Sequence, residues 1–172
     1  WERNEASDMV EDIIRIDGCK KPGLVTIDVG GAGDIATEEI IRGLHDGLRA
    51  VSLAMEDQEV LPGGGAIHSR IAHAVRISSE SEPGRARLAM EAFSRAMETI
   101  PGALVENSGN DALDSILELR AATRNQEHFI GIDENGKVSV IDKAWHPRTI
   151  ITESLQLACE TTIGMLRIDQ VI

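Results

Sequence analysis

Tyrosine is absent from this 172-residue chain, and tryptophan and phenylalanine number two each. A core with so few rings must be filled by Ile, Leu, Val and Ala, with Phe93 and Phe129 as isolated large fillers. Cysteine is as scarce: Cys19 and Cys159 lie far apart in sequence, which excludes a disulfide framework and Cys-x-x-Cys metal spacing and leaves two reduced structural thiols. Positive charge is also short. Lys and Arg total 17 against 29 Asp and Glu, a net charge of -12. That balance argues against a nucleic-acid or anionic-membrane partner and for a soluble, self-repelling protein. No apolar run approaches the ~18 residues that cross a bilayer, and no basic segment leads into an apolar one as in a signal peptide. The chain is therefore read as neither embedded nor exported, with the cytoplasm as its compartment. Trp1 stands where a start methionine would, within a polar stretch, and this reads as a piece of a longer protein.

What the chain has is glycine in one telling place. Leu61-Pro62-Gly63-Gly64-Gly65-Ala66 sets a stiff residue before three bare ones, between two helical patterns. Three successive glycines are costly in chain entropy, so the fold needs unusual dihedrals there or a backbone that something can lie against. A hinge, a tight turn between helices and contact with a ligand are compatible readings of that loop. The loop leads into a helix, whose first amides favour an anion.

The rest of the chain reads as mainly helical. Residues 12–17 and 24–29 are rich in β-branched residues and read as strands either side of Lys21-Pro22-Gly23. From Thr37, a fair N-cap, to about Asp57, apolar residues recur at Ile40, Leu44, Leu48, Val51 and Met55, one helical stripe. Asp46 lies off that stripe, with Arg42 four residues before it and Arg49 three after, the spacing of an exposed ion-pair face. A second helix carries Ile67, Ile71, Ala74 and Val75. A third runs through Ala89, Phe93, Met97 and Ile100 and is expected to stop at Pro101-Gly102, with a separate short segment over residues 103–107. Asp111 or Asn110 caps a helix running to about Asn125. Residues 129–133 and 137–141 form a hairpin around Asn135-Gly136, a pair that tolerates the positive dihedrals of a tight turn. His146-Pro147 opens a last helix. The sum is about six helices and four short strands. His45, His68, His73 and His128 show no His-Glu-x-x-His pattern and read as surface or packing residues.

Taken in order, these pieces resemble a known family. The strand pair, the helix with Leu44-His45-Asp46-Gly47-Leu48, the Pro-Gly-Gly-Gly loop, Glu106-Asn107-Ser108-Gly109, the segment from Asp114 to Arg120, the hairpin around Gly131 and the closing Leu166-Arg167-Ile168-Asp169-Gln170 resemble a group II chaperonin subunit, over essentially the whole chain. Gly18-Cys19-Lys20-Lys21-Pro22 is similar to the segment by which that family's chain leaves its apical domain. The resemblance implies the C-terminal part of such a subunit: residues 1–23 the end of the apical domain, 24–56 an α/β intermediate-domain segment, and 57–172 the C-terminal half of a multihelical equatorial ATP-binding domain with a small β-hairpin.

The function implied is ATP-driven folding of unfolded proteins in a double-ring chamber. Asp46 would be the catalytic carboxylate that orients the attacking water, a role suited to phosphoryl transfer, which asks mainly for positioning and charge stabilisation. Gly63, Gly64 and Gly65 would approach the nucleotide, Gly131 and Ile132 would line the adenine pocket, and Ala144 would sit on the other side of the base. His146 occupies the place where the family carries Asp or Glu against the ribose hydroxyls; a neutral imidazole still accepts a hydrogen bond but surrenders the charged acceptor. From the residues alone, Gly131 reads as a strand glycine at a bulge, and His146 as a partly exposed cap beside Pro147. The family's Gly-Asp-Gly-Thr-Thr phosphate loop and its magnesium aspartate are not in this sequence. ATP or ADP and Mg2+ are the implied cofactors, the metal's ligands belonging to the missing N-terminal half, and this chain alone should be inactive. Other chaperonin subunits and unfolded clients are the implied partners, with no nucleic acid and no membrane. The alternative is a non-catalytic helical assembly module derived from such a subunit. In either case helix faces made to pack on missing segments should be exposed.

Overall fold

A computed structural model describes residues 2–3, 12–13, 23, 26–31, 33–124 and 128–168. Among these the chain forms β1 (Glu2–Arg3), β2 (Asp12–Ile13), α1 (Asp34–Asp57), β3 (Val60–Pro62), α2 (Ala66–Ser79), α3 (Gly84–Asn107), α4 (Ala112–Thr123), β4 (Ile130–Ile132), β5 (Val138–Val140), β6 (Trp145–Pro147) and α5 (Arg148–Leu166). The fold is mainly α, as the sequence patterns require, and the short strands pair as antiparallel ladders β1-β2, β3-β6 and β4-β5. Two compact units, Trp1–Leu44 and His45–Ile172, divide within α1.

In the first unit, β2 covers the start of the expected strand over residues 12–17; residues 14–17 lie outside the described set. Of the second expected strand, over residues 24–29, residues 24–25 lie outside the described set, and 26–29 form no strand and are mostly exposed. β-branched residues suit a ladder only when a partner strand lies beside them, and none does among the described residues. α1 begins three residues earlier than Thr37. The Thr37 amide and hydroxyl both donate to the Gly33 carbonyl at 3.0 Å, so Thr37 closes the first turn from inside.

The second unit is organised by α2, α3 and α4. Val105 of α3, Leu119 of α4 and Ile132 of β4 form the buried centre, with Ala112, Ile116, Ile130 and Val138 packed against it. Phe129 does not fill this core. It is 39% exposed, and Arg70 lies 4.6 Å over its ring. Small hydroxyls set the helix contacts instead: buried Ser94 donates to the Ala72 carbonyl at 2.8 Å, and Ser69 and Thr123 share a bond of 3.0 Å. A residue no larger than serine lets two helices approach closely while its hydroxyl remains satisfied.

Two boundaries differ from expectation. α3 does not stop at Pro101-Gly102; it runs to Asn107 and absorbs residues 103–107 as its last turns. Proline removes a single helical donor, and here its ring is fully buried at the bend of the glycine loop, where packing outweighs the lost bond. Pro147 is the N-cap of the last helix, which starts at Arg148 as expected, but His146 and Pro147 also lie in a strand that the sequence did not announce. They belong to β6, which pairs with β3 in the register Val60↔Pro147, Leu61↔His146 and Pro62↔Trp145. A strand of three residues with proline at its end carries almost no alternation for a sequence pattern to detect. Asp111 is the cap of α4, accepting from the amides of Leu113 at 2.8 Å and Asp114 at 3.2 Å. α4 ends at Thr123, two residues short of the expected Asn125.

One buried carboxylate joins the three helices. Glu98 of α3, 8% exposed at its side chain, accepts from Arg76 of α2 at 2.7 Å and from Arg120 of α4 at 2.7 and 2.5 Å. Burial pushes its carboxyl up, but the bonds and charges of Arg120 and Arg76 outweigh burial and hold it below its ordinary value. A lowered carboxyl contributes stability above its unfolded value of 4.5 and loses it as pH falls through the folded one. Glu98→Gln should therefore destabilise by about 1–3 kcal/mol near neutrality. In urea denaturation the gap between variant and parent should close as the pH is lowered from the unfolded value of 4.5 through the lower folded one.

Candidate functional site

The glycine loop folds as a tight turn in which Ala66 N–H donates to Gly63 C=O at 3.0 Å. Its two central residues have positive φ, 59° at Gly64 and 71° at Gly65, the geometry of a primed turn that side chains resist. Gly65 is also the N-cap of α2, and no side chain caps that end. A Cβ on Gly65 would lie 2.8 Å from Pro101 Cβ, so the turn is seated on the buried proline of α3.

The hairpin β4-β5 comes to the same turn. Ile132 N–H donates to Gly64 C=O at 2.7 Å, and a Cβ on Gly131 would lie 2.5 Å from that same carbonyl oxygen. Gly131 is thus no bulge: it pairs in register with Ser139, and its bare Cα admits the turn. From the opposite side, Gly63 N–H donates to Ala144 C=O at 2.8 Å. A Cβ there would stand 3.1 Å from Ala144 Cβ and 3.2 Å from His146 Nε2. Gly63, Gly64, Gly65, Gly131, Ile132, Ala144 and His146 are therefore immediate neighbours, although 83 positions separate the first from the last, 146 minus 63. A cleft of about 430 Å3 opens beside them, lined by Ile132, Ser139, Ile141, Asp142, Lys143 and Ala144 among others. Ile132 and Ile141 line it although both are largely buried, and Asp133, Glu134, Asp142 and Lys143 make the rest of its lining strongly polar.

His146 is an exposed strand residue rather than a helix cap. Its neighbour His68, in the first turn of α2, is half-buried; burial first, and then the nearby His146, push the His68 imidazole below its ordinary value of 6.5. His68 is accordingly neutral at pH 7, able to accept as well as donate.

Asp46 stands apart from this cluster. It lies in the middle of α1 with its side chain 77% exposed, and His45 Nδ1 is 3.7 Å from its carboxylate. The atoms nearest the bare positions at Gly63, Gly64, Gly65 and Gly131 come from Pro101, Ile132, Ile141, Ala144, His146, Gly64 and Ala66, none of them on α1. The expected pairing of Asp46 with Arg42 is not made. Arg42 instead bonds Glu39 at 3.0 Å. A separate cavity of about 170 Å3, lined by His73, Arg76, Glu80, Glu98, Arg120 and Arg124 among others, lies between α2, α3 and α4. The sequence did not signal it, because its charges come from three helices with no fixed spacing.

Gly131→Ala should cost about 1–3 kcal/mol, because the hairpin or the turn must withdraw. Gly47→Ala is the contrast: it sits within α1 with nothing within 4 Å of its Cβ position and should add helix stability of up to about 1 kcal/mol. Circular dichroism melts of the two variants read both effects.

The chain matches the TCP-1/cpn60 chaperonin family over residues 2–172. It is 38% identical over 165 residues to thermosome subunit beta of Archaeoglobus fulgidus, covering 94% of this chain and 30% of that protein. With a thermosome subunit of Methanocaldococcus jannaschii the identity is 36% over 175 residues, 99% of this chain and 32% of the relative. The chain thus spans about a third of the length of these relatives. Its structure is similar to the open-state monomer of a group II chaperonin from Methanococcoides burtonii, with a TM-score of 0.67 and 30% identity over 80% of this chain and 35% of that one. From the cradle of glycines to the last helix, then, this chain belongs to the TCP-1/cpn60 chaperonin family, on its group II, thermosome-like side.

Proposed function

We propose that the chain is the nucleotide-pocket and ring-contact part of an ATP-dependent chaperonin subunit, which uses ATP to drive folding of unfolded proteins in a double-ring chamber. The observation that carries this reading is the convergence of Gly63, Gly64, Gly65, Gly131, Ile132, Ala144 and His146 on one cradle of bare backbone beside a cleft. The cleft beside the turn gives a sugar and phosphates room, and the uncapped first turn of α2 favours their negative charge. The Ile132 face and Ala144 take the two sides of the base. His146 Nε2 takes the ribose hydroxyls in place of a carboxylate.

Asp46 holds the attacking water for the γ-phosphate when α1 is brought over the nucleotide, a step that makes hydrolysis depend on domain movement. The Mg2+ ligands, in this reading, come from the N-terminal half of such a subunit. In this reading residues 1–23 close the apical domain, 24–56 belong to the intermediate domain and 57–172 to the equatorial domain. Other chaperonin subunits and unfolded clients are its partners, with no role for nucleic acid or a membrane, and the cytoplasm is its compartment. Among the described residues no helix is long and apolar enough to cross a membrane.

A second reading has an observation of its own. α1 buries no residue, and Ile40, Leu44, Leu48, Val51 and Met55 along its stripe are 40 to 73% exposed. With a histidine in the ribose position, this suits a non-catalytic module that assembles through its apolar faces. The mass of the native polypeptide separates the two: 18.6 kDa favours the module, the full length of the relatives the machine subunit.

In a chain completed by a thermosome-type N-terminal half, Asp46→Ala should lower kcat for ATP by about 100-fold with KM little changed. Unchanged hydrolysis would reject the role given to Asp46. His146→Asp should tighten nucleotide binding by about tenfold, read by calorimetry. Equal affinity would remove the ring from the ribose.

A further inference from the structure

The last residue of α1 is also the cap of another helix. Thr149 is the second residue of α5, where the amide has no acceptor within its own helix, and Pro147 at the N-cap supplies no side-chain acceptor. The Asp57 carboxylate fills that role from 92 positions away: Thr149 N–H donates to Oδ2 at 2.8 Å and the Thr149 hydroxyl donates to Oδ1 at 2.6 Å. Those two bonds, the hydroxyl's first, hold the Asp57 carboxyl below its ordinary value.

The next residue turns the chain. Gln58 has φ 53°, the one non-glycine residue in the left-handed region among those described, while its amide still donates to Ala54 C=O at 3.0 Å. Glu59 then fixes the new direction. Its carboxylate is 3.1 Å from Arg148 Nε, its carbonyl accepts from Arg148 N–H at 3.3 Å, and β3 follows in its ladder with β6. Three successive residues thus end a helix, pass through a left-handed turn of the backbone and bind both ends of it to the root of α5.

This joint stands between the two parts of the proposed site. Downstream it runs through β3 into Gly63, and its partner strand carries His146. Upstream, Asp46 lies three helical turns away, about 16 Å along α1 at 1.5 Å per residue. α1 buries no residue of its own, so a polar fastening at its end governs its direction more than core packing does.

We propose that Asp57 is a positioning residue: its double hydrogen bond to Thr149 sets the direction in which α1 leaves the β3-β6 ladder, with Gln58 as the pivot, and thereby the place of Asp46 with respect to the glycine loop. The bearing on catalysis rests on the reading of Asp46 and the loop as one site. The joint itself needs no nucleotide, so its test is separate from the test of that reading.

Spin labels on Arg49→Cys in α1 and Glu153→Cys in α5, with Cys19→Ser and Cys159→Ser, report the spread of distances between the two helices in the 172-residue chain without nucleotide. The parent and Thr149→Ser, which keeps both donors, should give one narrow distribution. Asp57→Ala should broaden it to at least about twice the width, as a released hinge does. Thr149→Val, which keeps the amide donor and loses the hydroxyl, should fall between and serves as the measure if Asp57→Ala does not fold. A lowered melting temperature with an unchanged distribution in Asp57→Ala would make Asp57 a cap for α5 and nothing more, overturning the proposal. An unchanged width in Thr149→Val, where Asp57→Ala does not fold, would overturn it equally.

Discussion

The hydrogen bond from Ile132 N–H to Gly64 C=O, 2.7 Å long, is the contact from which the site is built. It joins a turn and a hairpin that are distant in sequence, and it exists because Gly131 presents no Cβ to the same carbonyl. Once made, it places the hairpin floor against the turn, and the bond from Gly63 N–H to Ala144 C=O closes the other side. The cradle is therefore an arrangement of main chain. Side chains enter it as walls, at Ile132, Ile141 and Ala144, and as one polar reach, at His146.

The helices give that cradle a rigid seat. Pro101 lies under Gly65, and the continuation of α3 past that proline carries Val105 into the core beside Leu119 and Ile132. Glu98 clamps α2 and α4 to the same helix through Arg76 and Arg120. The turn, its proline seat and the hairpin thus share one framework, whereas α1 leaves it through the Asp57 joint and exposes its apolar stripe.

Much of this could be read from residues. The helices were legible because their apolar positions recur at helical spacing, as from Ile40 to Met55, and the hairpin because Asn135-Gly136 names its turn. The cap of α4 was legible as Asn110 or Asp111, and Asp111 fills it. The fold's β3-β6 ladder was not legible, since two three-residue strands with terminal prolines have no period to show. Nor was the continuity of α3, because proline's general cost was set against a burial that only the folded chain displays. Helical spacing also predicts a stripe without saying what covers it, and α1 is the result. At the site, ordered resemblance to chaperonin subunits brought seven of the eight chosen residues to one place. The residues alone would have left Gly131 as a bulge and His146 as a cap. The pairing of Asp57 with Thr149 and the Glu98 clamp had no signal at all, since each joins helices through single side chains far apart in sequence.

The most direct test is an amide NMR titration of the 172-residue chain with ADP. The account predicts that the largest shifts fall on Gly63, Gly64, Gly65, Gly131, Ile132, Ala144 and His146. Shifts centred on the Glu98 cavity, or a spectrum unmoved at saturating ADP, would contradict it.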